Sequence, residues 1–121
     1  MIAGRELDAL VATHVMHWRE YPPPCPACKA DGRMHYERAG MSNCLPRFST
    51  SIAAAWEVVE KMLSRAALDH IQTETDGWHV QFCAKTSAEP WWHEHAVADT
   101  APLAICLAAL RAVGYRDDEV K

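Results

Sequence analysis

The chain has 121 residues, half of them apolar and 23% charged, a make-up that fits one domain with a modest core. Twelve Lys+Arg against sixteen Asp+Glu give a net charge of -4 and a pI near 5.9, which argues against a nucleic-acid binder held by bulk positive charge. No apolar run approaches the roughly 18–20 residues of a membrane span, and the first residues do not read as a secretory signal, so a cytoplasmic domain is expected.

Leu7, Leu10, Val11, Val15 and Trp18 recur at helical spacing and predict an amphipathic helix from about Arg5 to Trp18. Tyr21-Pro22-Pro23-Pro24 ends it, because proline lacks the amide proton and disfavours helix in the residue before it. From Cys25 to Ser49 the pattern is weak: Asp31-Gly32 suggests a turn, Arg33–Glu37 a short strand by alternation, and the remainder loop. Ser49-Thr50-Ser51 offers capping hydroxyls to a second helix, Ile52 to His70, with Ala55, Val59, Met62, Leu63 and Ala66 as its stripe and Trp56 beside it. An i,i+4 pair of Glu57 with Lys61 is expected on its outer face.

Thr75-Asp76-Gly77 reads as a turn into a strand from Trp78 to Lys85, where Trp78, Val80, Phe82 and Ala84 alternate with His79, Gln81 and Cys83. Glu89 to Val97 fits no period and predicts a loop with a short edge strand around His95 to Ala98. The last helix opens at Asp99-Thr100, carries Pro102 in its first turn, and runs to about Val113 with Gly114 as C-cap. Asp117-Asp118-Glu119 is expected as a solvated end. The order predicts an α+β fold, a small and mainly antiparallel sheet covered by three helices, in one domain over residues 1–121 with a Cys/Pro-rich insert at about 21–49.

The five cysteines divide into two kinds. Cys83 and Cys106 sit in apolar stretches and read as small core residues. Cys25 and Cys28 are spaced so that both sulfurs can face one tetrahedral ion, and Cys44 follows after fifteen intervening residues. His35 is the nearest fourth ligand in the insert, with His14 and His17 as alternatives from the first helix. The functional reading is one structural zinc ion that orders the insert; the competing reading is an exposed loop with free thiols. A redox reading of Cys-Pro-Ala-Cys is disfavoured, because no βαβ unit surrounds it and no helix is expected to start at the first Cys.

Trp91-Trp92-His93-Glu94-His95 is the most unusual segment, since adjacent tryptophans cannot both face the core of a strand. Trp91, Trp92, His93 and His95 are therefore the candidate ligand- or partner-binding residues, as a stacking platform or an apolar contact. The competing reading has one tryptophan plugging the sandwich and the histidines solvated. His14 and His17 read as boundary residues, and His79 and Gln81 fall on the polar side of their strand.

Three segments carry a family resemblance: Gly4-Arg5-Glu6-Leu7-Asp8-Ala9-Leu10-Val11-Ala12 with Val15, Met16 and Trp18; Ser51-Ile52-Ala53-Ala54-Ala55-Trp56-Glu57-Val58-Val59-Glu60-Lys61; and Asp99-Thr100-Ala101-Pro102 through Leu110. They resemble the phage ABA sandwich domain proteins of tailed phages and prophages, with a fainter similarity to NinX-type phage proteins. The resemblance implies an α/β sandwich encoded by phages, with no established activity and no catalytic residues to carry over. This sequence departs from the family pattern between Tyr21 and Asn43, where Cys25-Pro26-Ala27-Cys28 is not a general feature.

No Ser/His/Asp signature, Gly-rich phosphate loop or HExxH motif occurs, so no catalytic activity is expected. The expected function is a non-enzymatic phage accessory protein in the cytoplasm of the bacterial host, with no membrane association. It would bind a host or immune protein, or sequester a nucleotide immune signal as a homo-oligomer, in counter-defence. Two alternatives stand beside it: a zinc-clipped structural or regulatory adaptor for a protein partner, and a small zinc hydrolase with an open metal position.

Overall fold

A computed structural model describes residues 2–86 and 90–115; the acidic tail Asp117-Asp118-Glu119 and the Glu89 start of the Trp-rich loop lie outside the described residues. Helix α1 (Arg5–His14) buries Leu7, Val11 and Ala12, with Val15 at its C-cap. It stops short of the expected Trp18. Met16 N–H bonds to the Val11 carbonyl and Trp18 N–H to the Ala12 carbonyl, while His17 takes a left-handed φ of 59°. The turn brings the Trp18 ring to 5.7 Å from Phe48, so a tilted tertiary ring contact takes the side chain that periodicity assigned to the helix.

The insert holds more structure than expected. A short helix α2 (Pro26–Ala30) starts with proline at its first position, where no amide proton is needed. Strands β1 (Tyr36–Arg38) and β2 (Met41–Asn43) form a hairpin closed by the Arg38↔Met41 pair. Its two turn residues, Ala39 and Gly40, have φ of 53° and 76°, the all-positive pattern that matches the twist of the flanking strands. The expected strand at Arg33–Glu37 thus lies later and finds its partner in a segment read as loop.

The second helix is a correction. Helix α3 spans Ile52–Met62, capped by the Ser51 hydroxyl, which accepts the Ala54 N–H at 3.4 Å, and ends well before the expected His70. After it the chain enters strand β3 (Ala66–Glu74), which pairs antiparallel with β4 (Gly77–Ala84). A bulge between Leu68 and His70 shifts the register, so the period-2 alternation of β3 is broken and Leu68 and Ile71 mimic helical spacing. The backbone ladder to β4 overrides that local pattern. Glu57 engages Arg38 of the hairpin, where an i,i+4 pair with Lys61 was expected.

Strand β5 (His93–Ala98) pairs with β4, giving the antiparallel order β3-β4-β5. Helix α4 (Ala101–Ala112) follows, with the Thr100 hydroxyl accepting the Leu103 N–H at 3.4 Å. Val80, Phe82 and Ala96 on one face of the sheet pack against Val58, Val59, Met62, Ile105 and Ala109. Phe48 and α1 close the same core, and Cys83 and Cys106 are buried as expected. Each fully buried large side chain contributes roughly 1.5–3 kcal/mol through the apolar area it removes from water. The architecture is a mixed α+β layer structure with four described helices rather than three.

Candidate metal centre

The insert brings together donors that lie well apart in sequence. Cys25 is the residue before α2 and Cys28 lies inside it, so one helical turn sets the two sulfurs on the same side. His35 immediately precedes β1, and Cys44 immediately follows β2. Hairpin pairing carries these two ends back beside each other, and Arg33 N–H bonds to the Cys28 carbonyl at 2.8 Å to tie α2 to them. One ligand atom from each of Cys25, Cys28, His35 and Cys44 lies within 4.8 Å of the others. Cys28 and His35 are buried, Cys25 half-buried and Cys44 exposed.

The imidazole of His35 is oriented by its neighbours. The Cys25 backbone N–H, which can only donate, reaches His35 Nε2 at 3.2 Å, so Nε2 carries the lone pair. Nδ1 then holds the proton and donates to Ser42 Oγ at 2.7 Å. The lone pair faces the sulfurs, with Cys44 Sγ 3.4 Å away. Tetrahedral zinc with bonds of about 2.3 Å to sulfur and 2.0–2.1 Å to nitrogen has an S···N edge of about 3.6 Å.

Thiol acidity is uneven. The Cys25 thiol is lowered to about 6, first by the Cys28 backbone N–H and then by the His35 ring and the Cys28 thiol beside it. Burial pushes the Cys28 thiol up to about 11, reinforced by the hydrogen bonds it shares with Cys25 and Cys44. A group of sulfurs with one thiolate favoured and its neighbour held protonated gains from a cation that stabilises all of them as thiolates. The cluster is thus suited to Cys3His zinc ligation. Cys25 does stand at the start of a helix, contrary to expectation, but a third sulfur and an imidazole converge on the pair.

The alternatives His14 and His17 lie elsewhere, at the end of α1, where His17 Nε2 meets Arg65 at 2.9 Å and the His14 ring lies tilted against Tyr115 at 5.0 Å. The four residues proposed as a binding platform do not converge either. Trp91 is 71% exposed, whereas Trp92 packs against the core. His93 is exposed, and His95 is half-buried with its ring stacked 5.0 Å from His79.

Two features escape sequence reasoning. Ser42, which sets the His35 tautomer, is a serine in a segment without periodicity. An open groove of about 680 Å³ runs between the starts of α3 and α4 and the sheet, lined by Ile52, Trp56, Leu68, Ile71, Trp78 and Pro102 among others. Ile52 and Trp56 are about half-exposed, and their i,i+4 spacing off the buried stripe is a signal that could have marked it.

Residues 9–110 match the family model of the phage ABA sandwich domain. The chain belongs to the phage ABA sandwich domain family. A crystal structure of a phage protein from Bacillus cereus ATCC 14579 is similar at a TM-score of 0.63 and 20% identity, covering 93% of this chain and 91% of that one, a likeness that shows the fold. No curated protein matches. The whole cysteine cluster lies within the stretch matched to the phage ABA sandwich domain, and among the described residues no helix is long and apolar enough to cross a membrane.

Proposed function

We propose that this phage protein is a non-enzymatic adaptor whose insert is clipped by one structural zinc ion and which contacts a protein partner. The observation that carries this reading is the convergence of Cys25, Cys28, His35 and Cys44 within 4.8 Å. Four protein donors fill a tetrahedral ion and leave no position for a reactive water, as structural rather than catalytic zinc requires. Zinc held in this way contributes folding free energy, because the site does not pre-exist in the unfolded chain. The host cytoplasm is the proposed setting, where reducing conditions keep the ligating thiols available.

The groove beside Trp56 supports a protein partner over a nucleotide, since its lining is largely apolar and its one charged side chain, Asp99, is anionic. The partner proposed is a host or immune protein, blocked in a counter-defence role. Native mass spectrometry of untagged protein against its denatured mass tests the clip: one bound zinc per chain is expected, and Cys28→Ser should lose it. A fully folded chain that takes up no zinc would overturn the reading. Partner capture should fail for Trp56→Ser while zinc stays bound. A co-purifying nucleotide, especially on an oligomer, would replace the protein-partner reading by the nucleotide-sequestering one.

A further inference from the structure

The sheet face turned away from the core carries imidazoles and carboxylates that the cysteine cluster does not use. Glu74 ends β3, Asp76 sits in the tight turn closed by the Glu74↔Gly77 pair, and His79 follows on β4. Their ligand atoms lie within 4.8 Å of one another. His79 Nε2 stands 2.7 Å from Asp76 Oδ1 and 3.1 Å from Glu74 Oε2. A six-coordinate ion with bonds of about 2.1 Å has cis donor–donor edges of about 3.0 Å, which the two separations from His79 approach, and the two carboxylates lie within 4.8 Å of each other.

The other ring nitrogen supplies a separate piece of geometry. His79 Nδ1 meets His95 Nε2 at 3.0 Å, across from β4 to β5. A metal-ligating histidine characteristically donates its second N–H to a fixed acceptor, which sets the ring orientation and tautomer. Arg111 Nη1 in turn donates to the His95 carbonyl at 2.7 Å, fixing that strand position to α4. The turn is also rigidly seated: a Cβ on Gly77 would lie 2.6 Å from the Ala98 carbonyl oxygen, so the hairpin closes directly on β5. Glu74, His79 and the orienting His95 are therefore held on strands, and Asp76 in the two-residue turn that joins β3 to β4.

We propose that Glu74, Asp76 and His79 bind a six-coordinate divalent first-row cation of the cobalt or nickel type, with His95 as the residue that positions the His79 ring. The imidazole selects this class over magnesium or calcium, which prefer oxygen ligands alone. On binding, the ion takes the place of the proton that His79 Nε2 shares with the carboxylates, and that proton leaves to solvent. Three protein donors leave three positions for water or a small anionic ligand, unlike the closed set in the insert.

The test titrates the zinc-loaded full chain with Co2+ while the histidine ring protons are followed by NMR. One saturable cobalt ion is expected, broadening the rings of His79 and His95 first and leaving His14 and His17 sharp. Asp76→Asn, at an exposed turn position, should weaken cobalt binding at least about 10-fold, by loss of a ligand. His95→Phe should weaken it about 10–100-fold with stoichiometry unchanged, and His95→Gln, which restores an acceptor, should recover most of the loss. No saturable binding, broadening centred on other histidines, or unchanged affinity in Asp76→Asn would overturn the proposal. Cobalt captured by the insert's thiolates declares itself by intense sulfur-to-metal absorption, so the two sites are read separately.

Discussion

Replacing Asp8 by alanine tests how α1 is fastened to the chain that leaves the insert. Asp8 is buried, and its Oδ1 accepts the Ser49 backbone N–H at 2.7 Å and the Ser49 hydroxyl at 2.6 Å. Its Oδ2 pairs with Arg5 Nη1 at 2.9 Å, and the Arg5 guanidinium also donates to the carbonyls of Leu45 and Pro46. Alanine leaves the buried Ser49 amide without its acceptor, a cost of about 1–3 kcal/mol. The Ser49 hydroxyl keeps the Gly4 carbonyl at 3.2 Å, so its loss is smaller. Removing the partner of the half-buried Arg5 brings the total to about 3–5 kcal/mol, the usual cost of breaking a buried ion pair. For a chain of this length that lowers Tm by about 4 °C per kcal/mol, or roughly 12–20 °C. Asp8→Asn keeps an oxygen for Ser49 and should lose about half as much. Urea unfolding followed by tryptophan fluorescence gives both values. A loss below about 1 kcal/mol for Asp8→Ala, or a larger loss for asparagine than for alanine, would refute the reasoning.

Ser42→Ala should retain one zinc per chain but weaken it about 10–100-fold, measured by competition with a chromophoric chelator, because His35 loses the acceptor that sets its tautomer. In zinc-free protein, Cys25 should be the first thiol alkylated by iodoacetamide at pH 7, since its lowered value of about 6 makes it mostly thiolate there. Its rate should fall as the pH drops through 6, and mass mapping that finds Cys28 equally fast would contradict this. Gly77→Ala should destabilise by about 2 kcal/mol or more in the same unfolding assay, because φ of 127° and the Ala98 carbonyl both oppose a side chain. Trp56→Ser should change stability by under about 1 kcal/mol, since the ring is about half-exposed, while removing partner capture.

The helical stripes of α1, α3 and α4 were legible because each carries a 3.6-residue period bounded by a cap or a proline. Strand β3 was not, because its bulge at Asp69 removes the alternation that identifies strands and no glycine or proline separates it from α3. The candidate metal cluster was legible as a set of residue types: the Cys-x-x-Cys gap picked out two candidate ligands and proximity in sequence added Cys44 and His35. Its supporting parts were not, since a five-residue helix and a three-residue hairpin are too short to express a period. The Trp91–His95 segment shows the opposite limit. Sequence marked it as unusual, but Trp92, just before β5, packs inward and β5 turns His95 toward His79, so adjacency in sequence does not become one surface.

The same bulge has a consequence for solubility. With the order β3-β4-β5, no strand among the described residues pairs with the outer side of β3, whose nine residues form a template on which another chain's strand can add. The extra residue at Asp69 breaks that row of donors and acceptors, and its carboxylate is held in place by the Gln81 amide at 3.2 Å and His70 Nδ1 at 2.9 Å. Beyond it, Gln72, Thr73 and Glu74 are polar and exposed. An irregularity that conceals the strand from a reader of the sequence therefore also conceals its edge from other molecules, protecting a small sheet from growing into an aggregate.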